Sequence, residues 1–250
     1  MKLNYSAVML ISALLTGCAH PIIIAPDEQK ISSSVLSNNN REYAVGYYIS
    51  PKDKALEVTT LGGGGDNIRY YPYRDIDKGY KAMLSNVFVS VTKLDSIDKS
   101  DVQLQDKIDL ILTPKIITTS GSTGFFTWPP TNFSVDLTNT ITSVDGKIIS
   151  EPRAVGTGGA STNEKLSEHG IAGRRAIEDA LLKSQVMLFN VELPQKNKLN
   201  KSTGSAKYAR KNSSDASISD RLKSLKELKD LGLIDEDEFK IKKKEIIKSL

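Results

Sequence analysis

The chain has 250 residues, of which 39% are hydrophobic and 26% are charged. This is an ordinary globular composition, which excludes a fully disordered or collagen-like chain. The formal net charge of +4 is too small to indicate nucleic-acid binding. The single cysteine, Cys18, excludes a disulfide framework, a cysteine-based zinc site and a CxxC redox pair within the chain.

The first residues are typical of a targeting segment. Lys2 supplies a positive charge, and an apolar run follows over residues 7–15. At about 1.5 Å per helical residue, this run is too short to cross a hydrocarbon core of about 30 Å. We therefore predict a lipoprotein signal peptide over residues 1–17.

The segment Leu15-Thr16-Gly17-Cys18 resembles a bacterial lipobox. The resemblance implies that Cys18 is the lipidation site, with diacylated sulfur and an acylated amino group. Several acyl chains such as palmitate, at about 0.8 kcal/mol per buried methylene, would make the anchor permanent. Ala19 stands where the family has Asp for inner-membrane retention, which implies the periplasmic face of the outer membrane. The alternative is an ordinary secreted protein with a chance cysteine.

The mature chain divides into a tether over residues 18–42 and an α+β body over residues 43–193. Little periodicity marks the tether. In the body, strands are predicted over 43–49, 55–61, 109–119, 133–141 and 147–155, and helices over 75–94 and 163–190. The hairpin between the last two strands carries Asp145-Gly146, a turn pair that tolerates positive φ. This order predicts an antiparallel sheet with two helices packed on one face.

The body loosely resembles the small α+β domains of envelope lipoproteins. The residues that carry this likeness are Asp109–Ile117 (DLILTPKII), the Phe133–Ile149 hairpin and the closing helix. The resemblance implies a role in transport or assembly of outer-membrane components, and so a lipid- or glycolipid-binding accessory as the alternative function. It implies no functional residues.

Residues 194–218 form a basic linker rich in Lys, Asn and Ser. A run of this composition is typical of a flexible solvated spacer. The alternative is an electrostatic contact with anionic lipid or cell-wall material.

The C-terminal segment, residues 219–250, predicts a helical hairpin. Leucines recur every three residues, Gly232 suits a helix C-cap, and Asp235 with Glu238 forms a capping box for a second helix. Residues 221–250 resemble the SHOCT module, which implies oligomerisation. Two short helices bury too little surface alone, so they need a second copy, the body or an envelope protein partner. The candidate partner-binding residues are Leu222, Leu225, Leu228, Leu231, Phe239 and Ile246.

An aromatic loop over residues 125–130 supplies a second candidate contact. Phe125, Phe126 and Trp128, stiffened by two prolines, would be a hot-spot anchor if exposed. The alternative is a loop folded back to cap the sheet. The same two alternatives, an exposed aromatic surface or a segment folded against the body, apply to Tyr70, Tyr71 and Tyr73.

The search for catalytic chemistry predicts a non-enzymatic protein with no cofactor and no metal. His169, near Glu164 and Glu168, lacks the spacing of a metal motif, which favours a solvated helix terminus. The glycine-rich segment 156–159 could present N–H groups to an anion, but a flexible strand–helix turn explains it better. The sequence thus predicts a lipid-anchored accessory or adaptor protein of the envelope.

Overall fold

The computed structural model describes residues 19–36, 40–63, 66–98, 108–122, 128–195 and 236–248, together with Leu222, Leu225, Lys226 and Lys229. Of the predicted site residues, Cys18, Phe125, Phe126, Leu228 and Leu231 lie outside this set.

Nine strands and six helices follow one another along the described chain. They are β1 (Ala19–Pro21), α1 (Glu28–Ser33), β2 (Arg41–Tyr47), α2 (Pro51–Lys54), β3 (Val58–Gly63), β4 (Asp66–Tyr70), α3 (Pro72–Val87), β5 (Phe88–Lys93), β6 (Leu110–Gly121), β7 (Asn132–Ser143), β8 (Ile148–Ser150), β9 (Arg153–Gly159), α4 (Thr162–Ser167), α5 (Ile171–Asn190) and α6 (Glu236–Lys248).

The strands form two sheets. The larger has the order β5-β2-β6-β7-β8, with β9 also paired to β7, and the smaller has the order β1-β4-β3. Helices α3 and α5 pack against each other and against the larger sheet. The predicted α+β class is therefore confirmed, and the core lies between this helix pair and the sheet.

The sheets are mixed, which corrects the expectation of a purely antiparallel arrangement. Strand β2 pairs in parallel with both β5 and β6, and β1 pairs in parallel with β4. The ladders of β6, β7, β8 and β9 are antiparallel, as predicted. The difference arises at β5, because the chain crosses from β2 through α3 before it returns to pair with β2.

Helix α3 is shorter than the helix predicted over residues 75–94. Its apolar face is buried as expected, with Ile76, Tyr80, Met83 and Leu84 in the core. The helix ends at Val87, and residues 88–93 form β5 instead of two further turns. The sequence FVSVTK is rich in β-branched residues, and pairing with β2 outweighs the helical spacing of its apolar positions.

Strand β7 follows the predicted alternation. Phe133, Val135, Leu137, Asn139 and Ile141 are buried, and the residues between them are not. The buried amide has its partners: Tyr80 donates its hydroxyl to Asn139 Oδ1 at 2.8 Å, and Asn139 Nδ2 lies 3.3 Å from the Ser184 hydroxyl. These two hydrogen bonds link β7 to α3 and α5 at the centre of the core.

Residues 19–36 do not form the expected tether. Strand β1 adds to the smaller sheet, and Ile22, Ile24 and Ile31 are at most 5% exposed in the main core. Burial of three isoleucines contributes about 1.5–3 kcal/mol each, which outweighs the polar composition of the flanking residues. The folded body therefore includes residues 19–36.

Candidate functional site

The segment that follows Cys18 is fixed by backbone hydrogen bonds to two elements. After β1, Ile22 N–H donates to the Arg69 carbonyl at 3.0 Å, and Ile24 N–H donates to Asp75 Oδ2 at 3.2 Å. Desolvation raises the pKa of Asp75, although the Ile24 N–H and the Arg74 guanidinium act in the opposite direction. The side chains alternate, so Ile22 and Ile24 enter the core while Ile23 is 70% exposed.

A groove of about 660 Å³ lies beside this segment, and we call it the arginine groove. One side is the outward face of the segment, another is the end of β4 with the start of α3, and the third is the turn between α4 and α5. The lining residues are Pro21, Ile22, Ile23, Ala25, Glu57, Arg69, Tyr71, Arg74, Ser167, Glu168, His169, Gly170 and Arg174.

Three arginines in this groove are each held by a carboxylate. Arg69 Nη1 lies 3.7 Å from Glu57, Arg74 Nε lies 3.4 Å from Asp75, and Arg174 Nη2 lies 2.7 Å from Glu168. Surface pairs of this kind contribute little to stability. Their main effect is to restrict where the three guanidinium groups point.

Tyr71 connects two of these arginines. Its hydroxyl donates to Glu57 at 2.7 Å, and this hydrogen bond raises the pKa of Tyr71. The Arg74 guanidinium lies over the ring, 4.0 Å from its centre, in a cation–π contact. The neighbouring Tyr70 and Tyr73 are buried in the core, so only Tyr71 of the three tyrosines belongs to the groove.

Trp128 lies between the two histidines of the chain. Its ring centre is 4.7 Å from that of His20 and 4.4 Å from that of His169, with tilted and edge-on geometries. The ring is half-buried against the core, and its Nε1 has no hydrogen-bond partner among the described residues. Trp128 therefore caps the smaller sheet and contacts the groove through His169. Its predicted role in partner binding stays a prediction.

Comparison with known proteins gives only distant likenesses. No protein-family model and no curated protein matches the chain. Among solved structures, the chain is similar to a Xanthomonas campestris protein of the family DUF330, with 11% identity and a TM-score of 0.38, covering 70% of this chain and 92% of that one. It is similar to a homologue of a candidate neuraminyllactose-binding hemagglutinin from Helicobacter pylori, with 13% identity, a TM-score of 0.39 and coverage of 66% and 92%. A candidate lipoprotein from Caulobacter crescentus matches with 11% identity, a TM-score of 0.29 and coverage of 70% and 98%.

The turn that carries His169 is held by ion pairs. Glu164 accepts hydrogen bonds from Arg175 and from the backbone and hydroxyl of Ser161, which together lower the pKa of Glu164 to about 2. The predicted single helix over 163–190 is thus two helices, α4 and α5, separated at this turn. Within the described ranges, His, Cys, Asp and Glu form no group of three that could hold a metal ion.

The glycine-rich segment that could have bound an anion packs on a helix instead. A Cβ at Gly156 would lie 2.2 Å from the Ala176 carbonyl oxygen, and one at Gly158 would lie 2.0 Å from that of Ala172. These glycines let β9 approach the backbone of α5, so they serve packing.

The predicted hairpin residues fall partly within the described set. Leu225 and Ile246 are buried, and Leu222 and Phe239 are half-buried. Lys229 joins the two helical segments, since its Nζ lies 2.5 Å from Glu236 and 4.8 Å from the centre of the Phe239 ring. The partner-binding role of these residues stays a prediction.

No helix in the described residues is long and apolar enough to cross a membrane.

The sequence search missed the arginine groove. Arg69, Arg74 and Arg174 belong to three elements, and the last is a hundred residues from the others along the chain, so no local motif joins them. The run of tyrosines around Tyr71 is a local signal, but these residue types indicate aromatic contacts and not an anion site.

Proposed function

We propose that this chain is a lipid-anchored accessory protein of the bacterial envelope, held by Cys18 on the periplasmic face of the outer membrane. The observation that carries the proposal is the position of β1, which begins at the residue after the lipobox cysteine. Consecutive Cα atoms are about 3.8 Å apart, so acyl chains on Cys18 would hold the body against the bilayer surface.

Exposed apolar side chains support this placement. Ile23, in the segment after β1, is 70% exposed, and Leu166, beside the groove residue Ser167, is 58% exposed. Single exposed apolar residues are common on soluble proteins. Ile23 lines the groove and Leu166 precedes the lining residue Ser167, so contact of the groove with the interfacial region of the bilayer would bury them.

The C-terminal hairpin is the proposed assembly element. The burial of Leu225 and Ile246 and the ion pair from Lys229 to Glu236 support the proposal that the two helical segments pack together. We assign to this hairpin the binding of a second copy or of an envelope protein partner. The role of the whole protein is then that of an adaptor.

Metabolic labelling with radioactive palmitate tests the anchor. The wild-type chain should incorporate label and sediment with outer-membrane fractions, and Cys18→Ser should do neither, because the thiol is the only acylation site of this kind. Thr16→Ser, a conservative lipobox change, is the matched control and should still be labelled. Equal labelling of wild type and Cys18→Ser would contradict the proposal.

A second candidate function is the binding of a lipid or glycolipid during transport or assembly. The arginine groove favours it, because its lining combines apolar side chains with three guanidinium groups. Native mass spectrometry of the purified protein tests this function, since a carrier should retain a whole lipid or glycolipid after extraction from the membrane, whereas contact with a headgroup at the bilayer surface should be lost.

A further inference from the structure

The charges of the arginine groove balance. Three arginines and two glutamates, Glu57 and Glu168, line the groove, and Asp75, which is 9% exposed, pairs with Arg74. An anion in the groove would therefore be bound by the guanidinium N–H donors that these carboxylates leave unused, and not by a net positive charge.

The guanidinium groups have hydrogen-bond capacity to spare. Each guanidinium contacts its carboxylate through a single nitrogen, whereas the group has five N–H donors in all. The side chains of Arg69, Arg74 and Arg174 are 46%, 55% and 33% exposed, so the other donors are open to solvent. Planar paired donors fit the oxygens of a phosphate or a carboxylate, and a phosphate has more oxygens to offer to several guanidinium groups at once.

The remaining wall of the groove is apolar and close to the anchor. Pro21, Ile23 and Ala25 are exposed on the segment that follows Cys18. Three residues of extended chain span at most about 11 Å, so Pro21 lies within that distance of the acylated residue. The polar interface of a bilayer is about 5–7 Å deep on each side. An anchored chain would thus present the groove to lipid headgroups.

We propose that the arginine groove binds the phosphate of an anionic phospholipid headgroup, with the glycerol region against Pro21 and Ile23. The inference deepens the proposed function and rests on it only for the position of the groove at the bilayer. Its consequence is that the body is oriented on the membrane by two contacts, the acyl chains on Cys18 and a headgroup in the groove.

Vesicle flotation of unacylated protein tests the binding chemistry separately from the anchor. The processed chain, residues 18–250 with Cys18→Ser, is mixed with phosphatidylcholine vesicles that contain or lack phosphatidylglycerol. The groove variant carries Arg69→Gln and Arg174→Gln. The matched control carries Arg153→Gln and Lys147→Gln, which remove the same charge from exposed positions on β9 and beside β8. Circular dichroism confirms that each variant is folded.

The expected result is binding to the anionic vesicles that falls about tenfold or more in the groove variant and changes less than twofold in the control. Trp128, the only tryptophan, should change its emission when the groove is filled, since it contacts His169. Equal losses in both variants would show general charge attraction and overturn the proposal.

Soluble glycerol 3-phosphate, added as a probe, distinguishes a lipid from a free phosphate. Competition with vesicles at the groove supports the headgroup proposal, whereas binding of the soluble probe without any vesicle binding overturns it. The groove variant with Cys18 intact is also labelled with palmitate, which reports separately on the anchor. If this variant is labelled and membrane-bound but its unacylated form no longer binds vesicles, the groove proposal is tested without affecting the proposed anchor.

Discussion

At the scale of single residues, Glu164 shows how one side chain fixes the turn beside the groove. It closes the capping box of α4 with Ser161, and it pairs with Arg175 on α5 at 2.6 Å. The carboxylate therefore joins the start of one helix to the first turns of the next. The neighbouring pair of Arg174 with Glu168 places a groove arginine on the same turn.

The lowered pKa of Glu164 predicts a pH dependence of stability. Since the folded state holds this carboxyl ionised, with a pKa of about 2, its contribution is fully present above about pH 4.5, the ordinary value, and is lost as the pH falls towards 2. Urea unfolding of wild type and Glu164→Gln should show a stability difference that shrinks over this range.

Glu192→Gln is the matched control, because this exposed glutamate follows α5 outside the capping box. Its difference from wild type should be small and should change little with pH. A difference between wild type and Glu164→Gln that stayed constant from pH 5 to pH 2 would contradict the assigned role of the ion pair.

At the scale of elements, the contact of β9 with α5 depends on backbone approach. A Cβ at Gly156 would lie 2.2 Å from both the Ala176 carbonyl oxygen and the Ala180 nitrogen, closer than real contacts allow. The helix has alanines at the same contact, and Ala176 and Ala180 are fully buried. Small residues on both sides thus set the distance between the strand and the helix.

Gly156→Ala should therefore destabilise the protein by about 1–3 kcal/mol or more, because β9 and α5 must separate to admit the methyl group. Gly121→Ala is the matched control, since a Cβ there has no atom within 4 Å. Its free energy of unfolding should change by no more than about 0.5 kcal/mol. Urea denaturation measures both, and equal midpoints would refute the packing argument.

At the scale of the whole molecule, the chain combines a body that starts at residue 19 with a C-terminal hairpin. The body has a single main core that extends from Ile22 to Phe189 in sequence. Leu225 and Ile246 of the hairpin are buried as well, at 0% and 2% exposed. The leucine repeat of residues 219–250 is the reason to expect that the hairpin acts in assembly, and the continuous core of the body is the reason to expect that the body folds without it.

Deletion of residues 219–250 tests this expectation. Light scattering should give a multiple of the single-chain mass for the unacylated full-length chain and a single-chain mass for the deletion, with the body still folded by circular dichroism. A full hairpin in which Lys243→Gln replaces an exposed polar residue is the control and should keep the oligomer. An unchanged number of copies after deletion would exclude self-association through the hairpin.

The sequence alone determined the features that depend on short windows. The alternation over β7, the turn at Asp145-Gly146 and the buried face of α3 were all predicted, and Gly146 has the positive φ of 87° that this turn requires. Periodicity and turn chemistry are local properties, so each can be read within about ten residues. The resemblance to a lipobox is local in the same way, and both the lipobox and the acylation of Cys18 stay predictions.

Only the tertiary structure decided which distant segments meet. Ile22 and Ile24 enter the core because β1 finds a parallel partner in β4, and residues 88–93 become a strand because β2 lies beside them. The arginine groove likewise forms where β4, α3 and the turn before α5 converge on Pro21 and Ile23. These segments are about fifty to a hundred and fifty residues apart in the chain. The hydrophobic periodicity of each segment does not specify its partner, since the free energy of pairing comes from contacts that exist only after folding.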